Sequence, residues 1–179
     1  MAETYKMTIA GLERELPVCQ LNDKTDIAAF VLFSDVELTV AAAEKLLSKS
    51  PYFDMILTAE SKGIPLAYEM ARASGKPYVV ARKSVKFYMT DPMAVKVKSL
   101  TTADEQTLYL SKEKTAMLKG KKVLIVDDVI STGESLHALE QLVKEAGGII
   151  SGRSAIIAEG QAAERKDICF LEKLPLFSK

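Results

Sequence analysis

Apolar and polar positions alternate from the start of the chain. Thr4-Tyr-Lys-Met-Thr-Ile9 and Leu12-Glu-Arg-Glu-Leu-Pro-Val18 flank Ala10-Gly11, a pattern that predicts a hairpin with one face turned to a core. Asn22-Asp23-Lys24 closes it, and a short apolar stretch, Phe30-Val-Leu-Phe33, follows. The period then changes to that of a helix over Val36 to Leu47, stopped by Ser48-Lys-Ser-Pro51. From there short apolar runs and amphipathic segments take turns. Strands are expected at Asp54–Thr58, Pro77–Ala81, Lys122–Asp127 and Ile149–Ala158, with a last one at Asp167–Leu171. Helices are expected at Gly63–Ala73, ended by Gly75, and at Thr132–Ala146, ended by Gly147-Gly148. Strands alternating with helices predict an α/β fold with a mostly parallel central sheet, right-handed crossovers and flanking helices.

One stretch departs from the alternation. Lys83 to Leu110 carries two arms, Ala94–Leu100 and Gln106–Leu110, joined by Thr101-Thr-Ala-Asp-Glu105, which predict a hairpin projecting from the sheet. A long insertion between core strands is usually functional or mobile. No internal repeat or linker divides residues 1–179, so one domain is expected, with residues 1–35 as a small N-terminal hood and 83–110 as a flexible hairpin.

Composition narrows the class. The 179 residues are 48% hydrophobic and 27% charged, which supports a packed core. Lys plus Arg and Asp plus Glu are both 24, so the net charge is zero and no global basic field is available to grip nucleic acid. No apolar run is long enough to cross a bilayer, and the opening Met1-Ala-Glu-Thr-Tyr-Lys lacks the layout of a secretion signal. Cys19 and Cys169 fit buried thiols in a cytoplasmic protein better than a disulfide framework. His137, the only histidine, is expected to be structural, and without a Cys cluster no structural zinc is expected.

The chemistry gathers in Val123-Leu-Ile-Val-Asp127-Asp128-Val129-Ile130-Ser131-Thr132-Gly133-Glu134-Ser135. Two adjacent carboxylates stand where an apolar strand ends, followed by a small hydroxyl-bearing turn and the start of a helix. Backbone N–H groups at such a turn make a phosphate site, Gly133 lets the backbone approach closely, and Ser131, Thr132 and Ser135 add hydroxyl donors. Asp127 and Asp128 are placed to accept hydrogen bonds from neighbouring sugar hydroxyls. A phosphate beside a diol describes a phosphorylated ribose. A helix cap or a solvated strand end is the competing reading of Asp127 and Asp128. Val-Leu-Ile-Val-Asp-Asp also opens phosphoacceptor receiver domains, but too little chain follows it here. Gly147 to Ser154 mimics a nucleotide P-loop, with Arg153 in the lysine position and a helix-to-strand context that is the wrong way round.

The acidic-pair segment resembles the phosphoribosyl-diphosphate signature of type I phosphoribosyltransferases, and the similarity extends from about Phe30 to Glu159. Thr58-Ala-Glu60-Ser61-Lys62-Gly63 resembles that family's pyrophosphate loop, and Ala81-Arg82-Lys83 the basic pair before its flexible catalytic loop. The resemblance implies that a nitrogenous base displaces pyrophosphate from phosphoribosyl diphosphate. Asp127 and Asp128 would orient the ribose, Ser131, Thr132, Gly133, Glu134 and Ser135 would hold the 5′-phosphate, and Glu60, Ser61, Lys62, Gly63, Arg82 and Lys83 would hold pyrophosphate. It also implies a cytoplasmic homodimer using Mg²⁺ carried by the substrate rather than by direct side-chain ligands, a hairpin that closes over the site, and no nucleic-acid or membrane partner.

For the base, Phe30-Val-Leu32-Phe33-Ser34-Asp35 resembles a V/L-F-R-D segment of adenine enzymes, with Ser34 in place of the usual Arg. It implies a purine pocket lined by Leu32, Phe33 and Ser34 with Val129 and Ile130 opposite; simple core packing is the competing reading of this stretch. The loop, with Met89-Thr-Asp91 and Val97–Thr101, is closer to xanthine phosphoribosyltransferases. Ala158-Glu159-Gly160, however, lacks the lysine with which 6-oxopurine enzymes donate to the ring oxygen, which favours adenine. Ser61–Tyr68 and Glu159-Gly160 also resemble the purine-operon repressor, so a non-catalytic phosphoribosyl-diphosphate sensor stands as a second class of function, though residues 1–29 are too short and insufficiently basic for its DNA-binding domain.

Overall fold

A five-stranded sheet, wholly parallel, forms the centre of the molecule, in the order β10-β9-β8-β4-β5. The computed structural model describes residues 3–23, 25–98 and 105–178. Its strands are β4 (Met55–Ala59), β5 (Tyr78–Ala81), β8 (Lys122–Ile130), β9 (Ile149–Glu159) and β10 (Cys169–Leu174). Every residue of β4 is buried, as expected for a strand covered on both faces. On one face lie α1 (Val36–Lys49) and α2 (Ile64–Ser74), whose Leu38, Leu46, Leu66 and Met70 pack with Ile56, Leu124 and Ile156. On the other lies α4 (Glu134–Glu145), whose Leu139, Leu142 and Val143 pack with Leu57, Val123 and Ile125. The α/β architecture expected from the sequence is thus present, with helices on both faces.

Helix ends follow local chemistry. Asp35 caps α1 by accepting from Leu38 N at 3.0 Å, and Arg14 of β2 (Leu12–Asn22) donates to both oxygens of the same carboxylate at 2.7 and 3.0 Å. This forked pair ties the N-terminal sheet to the first helix and holds the Asp35 carboxyl below its ordinary range. Gly75, at φ +67°, ends α2.

The N-terminal hairpin forms as predicted, β1 (Thr4–Ile9) pairing antiparallel with β2 through a turn in which Ala10 and Gly11 both have positive φ. It extends further than expected, into a four-stranded sheet β1-β2-β3-β11 completed by β3 (Thr25–Ala28) and β11 (Leu176–Ser178). Neither added strand carries a readable period; both are set by their pairing partners. Phe30–Phe33 is irregular rather than a strand, and α3 (Lys112–Leu118), capped by Ser111, appears where no helix was expected.

Two expectations are corrected. Cys19 is exposed and Cys169 half-buried, because β2 and β10 present them at sheet margins rather than in the core; both remain free thiols. The hairpin β6 (Met93–Lys98) and β7 (Glu105–Leu110) does form, but its base does not project. Val95, Leu108 and Leu110 are buried in the same cluster as α4, and Tyr109 bridges to Arg82 beside β5. The expected tip, 99–104, lies outside the described residues. His137 is exposed on α4, 3.7 Å from Glu140.

The central position of β8 gives a stability test. Leu124 is fully buried against Ile56 and Ile156. Leu124→Ala should lower the unfolding free energy by about 2–5 kcal/mol in urea titration, with the denaturant slope unchanged.

Candidate active site

The polypeptide winds in opposite directions on either side of β4 and β8. From β4 it passes through α2 to β5 at one edge; from β8 it passes through α4 to β9 and towards the other. Open parallel sheets bind ligands at such a reversal, outside the carboxyl ends of the strands. Pairing between β4 and β8 stops at Leu57–Ile125, while β8 continues to Ile130 paired with β9 alone. The parted ends open a cleft of about 610 Å³, a size suited to a small-molecule ligand.

The turn Glu60–Gly63 enters this gap. It leaves β4 through a cis Glu60–Ser61 peptide and ends at Gly63, the N-cap of α2. A Cβ on Gly63 would fall 2.5 Å from Thr58 Oγ1 and 2.7 Å from Asp127 Oδ1, so only glycine allows the turn to lie against β8. That closeness brings Lys62 to the carboxylates, its Nζ 3.6 Å from Asp128 Oδ2. Asp128 is 2% exposed, and its Oδ2 has no hydrogen-bond partner among the described residues. Asp127 accepts from Asp128 N at 2.9 Å. Burial, reinforced by the Asp128 charge, pushes the Asp127 carboxyl up to about 7, and Lys62 opposes the rise. Glu159, at the end of β9, is also raised by burial, with Lys62 opposing and Asp128 reinforcing. Three carboxylates thus share the field of one lysine, and cation- or hydroxyl-bearing ligands would relieve their repulsion.

The expected residues are largely brought together. Glu60, Ser61, Lys62, Lys83, Asp127, Asp128, Val129, Ser131 and Ser135 all line the cleft, with Gly63 buried behind Asp127. Thr132, Gly133 and Glu134 form the rest of the turn into α4, where Gly133, at φ +81°, is the N-cap. Arg82 faces a neighbouring cavity and lies 3.3 Å from Glu60, whose carboxylate also accepts from Lys83 N at 3.0 Å. Ile130 packs in the core.

Of the residues expected to meet the base, Val129 lines the cleft and the others do not. Leu32 is 1% exposed and packs in the core, and Phe33 and Ser34 lie outside the cleft lining. Ile27, Ala28, Ala29, Phe30 and Val31 line it instead. A loop fixed at β3 and again at the Asp35 cap offers its first residues to the cleft, a register that apolar content alone does not reveal. Glu159 also lines the cleft. The sequence marks it only as an acidic residue ending an apolar strand.

Known proteins place this geometry. A model of the phosphoribosyl transferase domain matches residues 37–174, over three quarters of the chain. The chain belongs to the phosphoribosyltransferase family. A hypoxanthine/guanine phosphoribosyltransferase of Methanococcus vannielii is 40% identical over 108 residues, 60% of this chain and 55% of that protein. A xanthine phosphoribosyltransferase of an Exiguobacterium species is 33% identical over 109 residues, 61% of this chain and 56% of that protein. This phosphoribosyltransferase-family chain spans about half the length of the curated relatives it matches. Among solved structures, adenine phosphoribosyltransferase from Thermoanaerobacter pseudethanolicus matches with a TM-score of 0.66 and 25% identity, covering 77% of this chain and 80% of that one. The Giardia lamblia enzyme complexed with 9-deazaadenine shares the fold, with a TM-score of 0.66 at 18% identity, covering 95% and 93% of the two chains. The type I phosphoribosyltransferase fold expected from the motifs is the one found.

The raised Asp127 carboxyl has a measurable consequence. Between pH 3.8 and about 7 the folded state holds a proton that the unfolded chain has released, so this group's contribution to stability falls as pH rises through that window. Asp127→Asn keeps the amide-oxygen acceptor for Asp128 N and removes the charge. The variant should be more stable than wild type at pH 8 by on the order of 1–3 kcal/mol, the gain vanishing near pH 4, in urea unfolding across pH.

Proposed function

We propose that this chain is a purine phosphoribosyltransferase acting on phosphoribosyl diphosphate. The observation that supports it most is the convergence, in one cleft, of the Glu60–Gly63 turn, the buried Asp127–Asp128 pair and the Ser131–Ser135 turn at the start of α4. These suit, in order, a pyrophosphate, a ribose diol and a 5′-phosphate. A ring nitrogen of the base attacks the anomeric carbon, the bond from that carbon to the pyrophosphate oxygen breaks, pyrophosphate leaves with its electron pair, and the ring N–H proton of the base passes to pyrophosphate or solvent. Charge develops on the sugar ring as in other glycosyl transfers, and the adjacent carboxylates stabilise it. Lys62 takes up the negative charge of the leaving group. As it does so its pairing with Asp128 is exchanged, freeing that carboxylate for the ribose hydroxyls.

Mg²⁺ fits this donor set. Hard carboxylate oxygens with an unpartnered buried Asp128 Oδ2 suit a hydrated divalent cation carried by the diphosphate. Asp127 and Asp128 would face it, and the ion would supply charge neutralisation of the leaving pyrophosphate.

Adenine is the base we favour. Glu159 stands in the cleft wall as an acceptor, matched by an exocyclic amine and repelled by a ring carbonyl. The names of the sequence relatives favour a 6-oxopurine instead, and the similar solved structures are adenine enzymes. A role in purine salvage as a cytoplasmic homodimer fits this reading.

Product assays with adenine, hypoxanthine, guanine and xanthine, each with phosphoribosyl diphosphate and Mg²⁺, should give AMP from adenine fastest. Faster turnover of a 6-oxopurine would replace the adenine reading, and no nucleotide from any base alongside phosphoribosyl diphosphate binding would replace the enzyme with a sensor. Asp128→Asn should reduce turnover by about 100-fold or more while leaving the melting temperature within a few degrees of wild type; retained turnover would remove Asp128 from the ribose site.

A further inference from the structure

Behind the phosphate turn lies a charged quartet that the proposed reaction does not use. Glu140, on the inner side of α4, is buried and bonded by Arg153 of β9. Arg165, just after the short 3₁₀ turn Gly160–Glu164, is clamped by Asp167, with Nε donating to Oδ1 at 2.9 Å and Nη2 to Oδ2 at 2.8 Å. Arg165 Nη2 also lies 3.9 Å from Glu140 Oε1, and Arg153 Nε lies 3.6 Å from Asp167 Oδ2. Two guanidinium groups and two carboxylates fix one another, and the Arg165 fork can then point only one way. None of these contacts uses Nη1. A Cβ on Gly133 would sit 3.4 Å from Nη1, so this end of the guanidinium rests against the backbone of the phosphate turn.

We propose that Arg165 is a positioning residue for the sugar 5′-phosphate. The proposal rests on reading Ser131–Ser135 as the phosphate turn. The turn itself offers only amides, hydroxyls and the partial charge of the α4 N-terminus, with acidic Glu134 in its first helical position. Arg165 adds the Nη1 end of its guanidinium immediately behind it, a donor whose charge Asp167 partly offsets and which is held half-buried where solvent screens it less than on an open surface. Asp167 supplies the aim, keeping Nε and Nη2 engaged. Arg153, which the sequence places in a false P-loop, has its role here as the strut that holds Glu140 and so the floor of the quartet.

Calorimetric titration of ribose 5-phosphate and, separately, pyrophosphate into the full chain tests this. Arg165→Gln should bind ribose 5-phosphate roughly three- to tenfold more weakly, with a shallower salt dependence, and bind pyrophosphate as wild type does. Arg165→Lys, which keeps the charge without the fork, should recover part of the loss. In turnover, KM for phosphoribosyl diphosphate should rise while kcat changes little. Unchanged ribose 5-phosphate affinity in Arg165→Gln would overturn the proposal and leave the proposed function standing. Equal weakening of both ligands, with a lowered melting temperature, would also overturn it, by showing that the quartet only braces the fold. Wild-type protein that binds pyrophosphate but not ribose 5-phosphate would instead remove the phosphate turn itself, and the proposal with it.

Discussion

The site depends on one constraint, the parting of β4 and β8 at Leu57 and Ile125. The two strands pair only over Met55–Leu57 and Val123–Ile125. Each then leads its helix to the opposite face of the sheet, so the backbone between them is left to be covered by something else. The Glu60–Gly63 turn covers it, and does so because Gly63 has no side chain to strike Thr58 and Asp127. Without that approach the cleft would be wider, and Lys62 would not reach Asp128. Helix packing on both faces therefore sets the cleft, and the core residues Ala28, Phe30 and Ala59 form part of its wall.

Electrostatics follow from the same geometry. Asp127 and Asp128 end a strand that is otherwise apolar, so the cost of burying charge falls on them, and Asp127 responds by holding its proton to higher pH. Lys62 is the nearby cation of this group, and half of its side chain remains in solvent. A pair so composed is easily exchanged, because Lys62 loses little when a diphosphate replaces Asp128 as its partner. The carboxylates are then poised rather than satisfied, which is a cost to stability that a ligand-binding site characteristically carries.

How much was legible in the sequence varies with the physical source of each element. The central strands and three main helices declared themselves through period, and the acidic pair, glycine and hydroxyl turn through residue type at fixed spacing. β3 and β11 did not, since strands of four and three residues are too short to show a period and are set by their pairing partners. The hairpin β6–β7 read as a projection because it interrupts the alternation of strands and helices; Val95, Leu108 and Leu110 turn out to be buried with α4 and make its base part of the core. Phe30–Phe33 was recognised as significant, but which of its residues face the cleft depends on where β3 ends and on the Arg14–Asp35 pair, a tertiary contact between positions 21 apart. Arg165 carried no signal, because its importance lies in which atom of its fork Asp167 leaves unengaged.

The boundary between strong and weak evidence follows the architecture. The family match begins at residue 37, at the first turn of α1. Every residue proposed to handle phosphate, ribose or pyrophosphate lies within it, on strand ends and tight turns fixed by a buried sheet. Ile27 to Val31, which wall the cleft from the hood side, lie before it. Their backbone is set by a small antiparallel sheet whose edges are short and which joins the core through Ile9, Leu16, Ala28 and Phe30 together with the Arg14–Asp35 pair. Handling of the phosphoribosyl group is thus imposed by the core, whereas the face that meets the base is free to vary with the hood. Proteins that share the fold can then be adenine enzymes while relatives with more similar core sequences act on oxopurines, and agreement on the sugar carries no vote on the base. Under the proposed function, base choice would fall to two features that the shared core does not dictate, the register of Phe30 and Val31 and the carboxylate of Glu159.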